Sequence, residues 1–421
     1  MIKNTLLKRI LSITLSLVLV STLSGCKVVN NFVHIFYGKN QVAKAEQISH
    51  IAFSNGTLFD DSKEIFVEAK ELANSETEFS KYNSKFHYNK LTDSEKIIYK
   101  ALEYAMQESY ANILVENDIA TDTDQLIKVI NYLSLDSPFL EQNIRYETGK
   151  FTTSFPVEIL GLYDAYAEFK GYYITIKNFA KELYAKKKLA LNRAKEIVSS
   201  LSPDLTDTQK AEQLFVYVAK NVEYFDYGDD KNNVESYLYE ALIEKKTHCD
   251  GYANAYSLLL TLVGVENFEK TSTGTEEKEG HTWNFVKLNN NWYNVDCVGD
   301  TIMSKKPSGM GPGYYFGYSD ILQRHIPDFS GIYPVSEDGY YIKINAILPE
   351  CTATAFFEAA KNGLRKNNKE FALVVLEKYS KTVVDSQIQR LANYFDMDIT
   401  YFTNNIINDK VAIMICDDRI V

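Results

Sequence analysis

Cysteine is scarce and scattered in this chain. Its 421 residues hold five, Cys26, Cys249, Cys297, Cys351 and Cys416, and no two form a C-x-x-C pair. Neither a zinc ribbon nor a thioredoxin-type motif is therefore available. The spacing gives no support for a disulfide framework, and a reactive thiol among isolated cysteines fits at least as well. Also missing is any dense Lys/Arg block on a predicted helix or sheet; the net charge is −11. Nucleic-acid affinity depends on neutralising phosphates, so that class of partner is excluded. The polar loop Asp226 to Asn233 offers oxygen atoms suited to calcium. It lacks the Asp-x-Asp-x-Asp-Gly register and closing Glu of an EF-hand, and reads as a solvated turn. Two similar α/β lobes are absent, which argues against a solute receptor serving a transporter.

What is present is an ordinary globular composition, 45% hydrophobic and 24% charged, enough to bury a sizeable core in two or three domains. Residues 1–25 read as an export signal. Lys3, Lys8 and Arg9 precede the apolar run Ile10 to Leu23, which is short for a transmembrane helix of about 20 residues. The run closes in Leu23-Ser24-Gly25-Cys26, which resembles the bacterial lipobox. That resemblance implies a diacylglycerol-modified Cys26 as the mature N-terminus; an uncleaved anchor is the alternative. Residues 26–45 read as a tether, although Val28 to Tyr37 is apolar. The expected location is the extracellular face of the cell membrane, held by a lipid anchor whose two acyl chains grip far more firmly than one.

The predicted architecture is α+β. Residues 46–185 read as a mainly helical N-terminal region. Leu91-Thr92-Asp93-Ser94 before Glu95 gives helix-start chemistry, and Ile97, Ile98, Ala101, Leu102 and Ala105 follow at helical spacing. Leu126, Val129, Ile130 and Leu133 form a second stripe, broken at Asp136-Ser137-Pro138. Phe169 to Leu201, rich in Lys and Ala, reads as one or two further helices, and Thr206-Asp207-Thr208-Gln209 opens another. The tail, 346–421, reads as a small α+β domain, with helices over Ala355 to Lys378 and Ser386 to Tyr394 and strands over Ile399 to Phe402 and Val411 to Cys416.

Between these lies the chemistry, in a domain predicted over 186–345. Cys249 opens a mostly apolar helix with Ala253, Tyr256, Leu259, Leu260 and Val263 on one face. Unpaired amides and the helix dipole there favour a thiolate and can serve as oxyanion donors. Gly251 fits a close approach of the backbone. His281 to Leu288 reads as a strand, Asn289 to Asn291 as a turn and Trp292 to Asp296 as a returning strand. A two-residue turn at Asn289-Asn290 makes Asp296 the diagonal neighbour of His281 on one face. A three-residue turn without a bulge puts them on opposite faces. A thiol, an imidazole and a carboxylate are the groups cysteine acyl transfer requires.

The stretches Cys-Asp-Gly-Tyr-Ala, Gly-His-Thr-Trp-Asn and Trp-Tyr-Asn-Val-Asp together resemble the transglutaminase-like core of bacterial proteins. Cys249, His281 and Asp296 stand in family order, 32 and then 15 residues apart, within a resemblance covering about 190 to 300. It implies a papain-like arrangement, a helix packed on an antiparallel sheet, and assigns nucleophile, base and orienting carboxylate to those three residues. The family often has Thr after the Asp, where this chain has Cys297, read as a small replacement, with a second thiol near the site as the alternative. A second oxyanion donor is sought upstream in Tyr237 or Tyr239, with Tyr237 preferred; His248 is read as an exposed bystander, the alternative being that it raises the thiolate character of Cys249. The implied activity is acyl transfer through a thioester on a protein or cell-wall peptide, with hydrolysis ahead of crosslinking. No metal and no organic cofactor is required. A non-catalytic binding scaffold of the cell envelope is the alternative.

Overall fold

The computed structural model describes residues 67–417 apart from 109–111, 121, 141–143, 148–149, 154–156, 164–168, 177–180, 226–235, 273–279, 300–314, 325–332, 337 and 342. The export signal, Cys26, the tether 26–45 and the loop Asp226 to Asn233 lie outside the described residues. Among those described, no helix is long and apolar enough to cross a membrane. The protein is α+β, and the chain divides into two compact units. One gathers Met1–Thr77, Leu91–Ile130 and Pro156–Ala180; the other gathers Glu78–Lys90, Asn131–Phe155 and Lys181–Val421.

In the first unit the helix Asp93–Glu108 starts where its sequence signal lies. The Thr92 amide donates to Glu95 Oε2 at 2.9 Å and the Glu95 amide to Thr92 Oγ1 at 3.3 Å, a reciprocal cap for two otherwise orphaned donors. Ile98, Ala101, Leu102 and Ala105 are fully buried. The helix Thr123–Asp136, which begins in this unit and whose residues from Asn131 belong to the second, ends at its predicted break. The sheet in this unit is the departure from the mainly helical expectation for 46–185. Its strands run in the order Val67–Glu68, Asn112–Glu116, Phe169–Ile176, Val157–Tyr163. Phe169–Ile176 reads FKGYYITI, and its aromatic and β-branched residues suit a pleated surface better than a helix. Of the helix predicted over Phe169 to Leu201, Phe169–Ile176 is therefore strand and Lys181–Ser199 is helix. Gly171 makes the strand pairing possible: at φ +143, a Cβ there would lie 2.2 Å from the Val115 carbonyl oxygen.

The second unit is built around one helix. Here α1 (Lys181–Ser199), α2 (Asp207–Asn221) and α3 (Cys249–Leu262) precede an antiparallel sheet of β1 (Asn267–Ser272), β2 (His281–Leu288), β3 (Asn291–Val295) and β4 (Phe316–Tyr318). The sheet order is β4-β3-β2-β1. Every residue of α3 from Gly251 to Leu260 is buried, as expected of a helix packed on all sides: it touches α1, α2, β1 and β2. Its polar groups are satisfied from those neighbours. Tyr252 Oη donates to the Val222 carbonyl at 2.6 Å, Tyr256 Oη to that of Ala211 at 2.9 Å, and Asn284 Nδ2 on β2 to that of Ala253 at 3.0 Å.

β2 and β3 are joined by Asn289 and Asn290 at φ 49 and 67, the left-handed pair that a tight two-residue hairpin needs. Leu288 then faces Asn291 and Asn284 faces Val295, the register that places His281 and Asp296 on one face.

The tail forms a second sheet, β5 (Ala346–Leu348), β6 (Phe371–Leu376), β7 (Ile399–Asn405) and β8 (Val411–Asp417), in the order β5-β6-β8-β7, with α4 (Ala353–Lys366) and α5 (Lys381–Phe395). The helix predicted over Ala355 to Lys378 is thus two elements. Asn368 and Lys369 take positive φ, which ends the helix, and FALVVL is a buried strand whose period-2 sides face two cores. Val374, Leu376, Ile413 and Ile415 pack with α4 and α5, while Leu373, Val375, Ala412 and Met414 join the core around α3.

The α2 start carries a full capping box: Thr206 accepts from the Gln209 amide and the Gln209 side chain accepts from the Thr206 amide. Thr206→Ala should lower the unfolding free energy by about 1 kcal/mol, read as a shifted urea midpoint with an unchanged slope.

Candidate active site

Cys249 is the first residue of α3, and His248 caps that helix by accepting the Asp250 amide on Nδ1 at 3.1 Å. The helix start is pinned to β2 by the Thr282 hydroxyl, which donates to Asp250 Oδ1. Thr282 directly follows His281, so this bond sets the nucleophile's helix against the imidazole's strand. Gly251 gives the room required, because a Cβ there would lie 2.2 Å from Thr247 Oγ1. His281 Nε2 sits 2.8 Å from Asp296 Oδ2, leaving Nδ1 as the ring nitrogen for the thiol. The other carboxylate oxygen accepts the Val298 and Gly299 amides at 3.0 and 3.2 Å, so Asp296 is held from both sides. The Trp283 ring stacks on His281 with centroids 5.9 Å apart and planes 13° apart.

The Cys249 thiol interacts with both His248 and His281. Burial and the Asp250 charge push its pKa up, but the two imidazoles outweigh them and hold it below the ordinary thiol value. Burial opposes the charge on His281, yet Asp296 and the thiol together raise its pKa to about 10. For His248, burial again works against the cation; the bonds and charges of Cys249 and Asp250, with Glu240, carry its pKa above the ordinary value. The arrangement favours a thiolate–imidazolium pair at neutral pH.

The three predicted triad residues are brought together. Of the two tyrosines, Tyr237 is buried with its ring 4.2 Å from that of His248, whereas Tyr239 lies under Lys186 Nζ at 5.3 Å from the ring centroid. His248 corrects the bystander expectation: it is partly buried, caps the helix and touches the thiol. The signal was its position just before the helix, where a side-chain acceptor is needed. Asp250 and Thr282 carried no comparable sequence signal. Beneath the helix start, burial, Asp250 and Asp136 push the Glu269 carboxyl well above the ordinary range. The Asn254 amide, oriented to satisfy both groups, donates to its two oxygens at 3.1 and 3.0 Å. Cys297 is buried core, and Cys249, Cys297, Cys351 and Cys416 are free thiols. The atoms a metal would bind on His248, Cys249 and Asp250 lie within 4.8 Å of one another; an ion held there would occupy the thiolate.

Beside His281 and Asp296 opens a cavity of about 130 Å³, walled by Tyr224, Tyr315, Tyr318, Leu322, Gln323 and Arg324. That accepts a single side chain rather than a ligand of the size usual for small-molecule sites, about 300 Å³ and more.

Residues 192–297 match the transglutaminase-like superfamily. This segment is a transglutaminase-like core. The kyphoscoliosis peptidase of Homo sapiens is 25% identical over 178 residues, 38% of this chain and 27% of that protein. The chain thus spans about a quarter of the length of this curated relative. Among solved structures, a TGase is 15% identical, with a TM-score of 0.24 over 45% of this chain and 50% of that one. The periplasmic domain of TgpA from Pseudomonas aeruginosa is 10% identical, with a TM-score of 0.21 over 38% and 68%. The matched segment of this transglutaminase-like core holds Cys249, His281 and Asp296 and ends one residue beyond the last of them.

At neutral pH, iodoacetamide should label Cys249 of this core faster than Cys351, whose thiol burial pushes upward, and faster than buried Cys416. Labelling at Cys249 should slow only as the pH falls through its depressed thiol pKa. Peptide-resolved mass spectrometry at several pH values measures this; equal rates at Cys249 and Cys351 would remove the case for an activated nucleophile.

Proposed function

We propose that the transglutaminase-like core is a cysteine enzyme that cleaves or transfers amide groups through a thioester. One observation carries the reading: a thiol at a helix tip, bonded to an imidazole whose far nitrogen meets a doubly anchored carboxylate at 2.8 Å. Cys249 attacks the amide carbonyl as thiolate. His281, already charged, gives its Nδ1 proton to the departing amine, and the thioester remains. Water or an amine then attacks, with His281 taking back a proton. Asp296 keeps the ring in one orientation and balances its charge through both steps. The Cys249 amide, at the start of α3, is the backbone candidate to receive the negative oxygen, and Tyr237 is the candidate side-chain contributor.

Hydrolysis is favoured over crosslinking. The cavity beside the imidazole is small, and water enters such a space more readily than a long amine-bearing side chain. The relative named above is a peptidase, which is in keeping with this choice. The substrate class we propose is a protein or cell-wall peptide met at the outer membrane face, with Cys26 as the lipid-bearing residue.

Incubation with a glutamine-containing peptide and a labelled amine tests the reading. Mass spectrometry should report backbone cleavage or deamidation above amine incorporation, and no conversion at all would refute the proposal. His281→Ala should lower kcat/KM by about 10³-fold, and unchanged turnover in that variant would exclude His281 as the base. With His281 raised to about 10, its proton is kept below that pH and lost above it. Activity should therefore persist into mildly alkaline solution and fall as the pH passes about 10.

A further inference from the structure

The sheet face that carries His281 also carries a lysine without an evident task. Period-2 alternation puts Lys270 on β1, Trp283 and Phe285 on β2 and Asn294 on β3 on that same face. Lys270 is 2% exposed, and its Nζ lies 3.6 Å from the centroid of the Phe285 ring. It approaches Asn294 Oδ1 at 3.3 Å and Asp320 Oδ1 at 3.6 Å. Both contacts are long for a charged donor in a dry place, where an ammonium demands close partners. Burial accordingly lowers its pKa to about 8, against the partial support of Asp320.

Asn294 is fully buried and its amide is held at every corner. Oδ1 accepts the Trp283 indole N–H at 3.0 Å, while Nδ2 donates to Asp320 Oδ1 at 2.8 Å and to the Tyr318 carbonyl at 3.3 Å. An amine, an amide carbonyl polarised by a fixed N–H, and a carboxylate touching both the amine and the amide nitrogen are the parts of an aminolysis site. Enforced proximity in a site closed to water is the condition under which such a slow reaction becomes accessible.

We propose that Lys270 and Asn294 join in an intramolecular isopeptide bond that the fold itself promotes. Neutral Lys270 Nζ attacks Asn294 Cγ; the negative charge developing on Oδ1 is received by the Trp283 N–H. Asp320 takes the proton released by Nζ and delivers it to Nδ2. The Cγ–Nδ2 bond breaks, ammonia leaves, and a secondary amide links β1 to β3 across β2. No oxidant, reductant or co-substrate enters. Asp320 is more than a third exposed, which gives the ammonia a way out. The product also removes an amine that the site solvates poorly.

Proteolytic digestion of the purified full chain followed by tandem mass spectrometry tests this, and the readout is independent of processing at the leader. The expected result is a branched peptide containing Lys270 and Asn294, lighter by one ammonia than the two linear peptides together. Cys249→Ser should form it equally, and Asp320→Ala should retain the linear peptides. Linear peptides alone in the unmodified sequence would overturn the proposal, as would conversion of Asn294 to Asp. Formation only when Cys249 is present would overturn it too, since the bond would then be a product of the acyl-transfer site. Lys270→Met risks misfolding, so the unmodified chain carries the decision.

Discussion

A slip of one residue between His281–Leu288 and Asn291–Val295 would turn Asp296 to the opposite face from His281. The ladder register is therefore the constraint from which the site follows, and two asparagines in the left-handed region set it. Side chains alone do not hold Asp296 in place; the amides of Val298 and Gly299 and the Tyr315 carbonyl, which accepts from its backbone, fix the turn after β3. On the helix side, the Thr282–Asp250 bond ties the first turn of α3 to the residue next to His281. Geometry set by backbone on one side and by one side-chain bond on the other leaves the thiol little freedom to drift from the ring.

The electrostatics follow from that geometry. A buried thiol and a buried imidazole each resist ionisation when alone; together they favour it, because each charge solvates the other more closely than water could. Asp250 works against the thiolate and Asp296 for the imidazolium. His248 offsets Asp250: its Nδ1 lies 3.2 Å from that carboxylate, and its ring lowers the thiol pKa that Asp250 raises. The local residue order His248-Cys249-Asp250 thus places compensating charges within one helical turn.

Much of this could be read before any coordinates. Capping residues at Thr92 and Thr206, the helical stripes and the three motifs are local patterns, and each appears in the fold where the pattern lies. The choice between two registers was not local: it depended on Asn289 and Asn290 taking positive φ together, which asparagine tolerates but does not compel. The sheet of the first unit is hard to read in sequence because Phe169–Ile176 lies only a few residues before a Lys- and Ala-rich helix, and the two merge into one apparent period. β6 was missed for a related reason, since an apolar run after a helix reads as more helix until Asn368 and Lys369 break it. Thr282 gains its role from Asp250, distant in the chain, where sequence spacing carries no information, whereas the role of His248 is legible in its place just before the helix.

One face of the tail's sheet lies in the same core as α3. From that sheet Asn404 Nδ2 donates to Tyr315 Oη at 3.0 Å, and Tyr315 walls the cavity and packs over Gly299. The stretch that bears the chemistry is consequently not a separable module. Cut free ahead of that sheet, it would expose Phe316 and the back of α3 to water, and lose the bond that holds the Tyr315 phenol in the wall beside the imidazole. The tail's sheet is thus part of the core on which the nucleophile's helix rests.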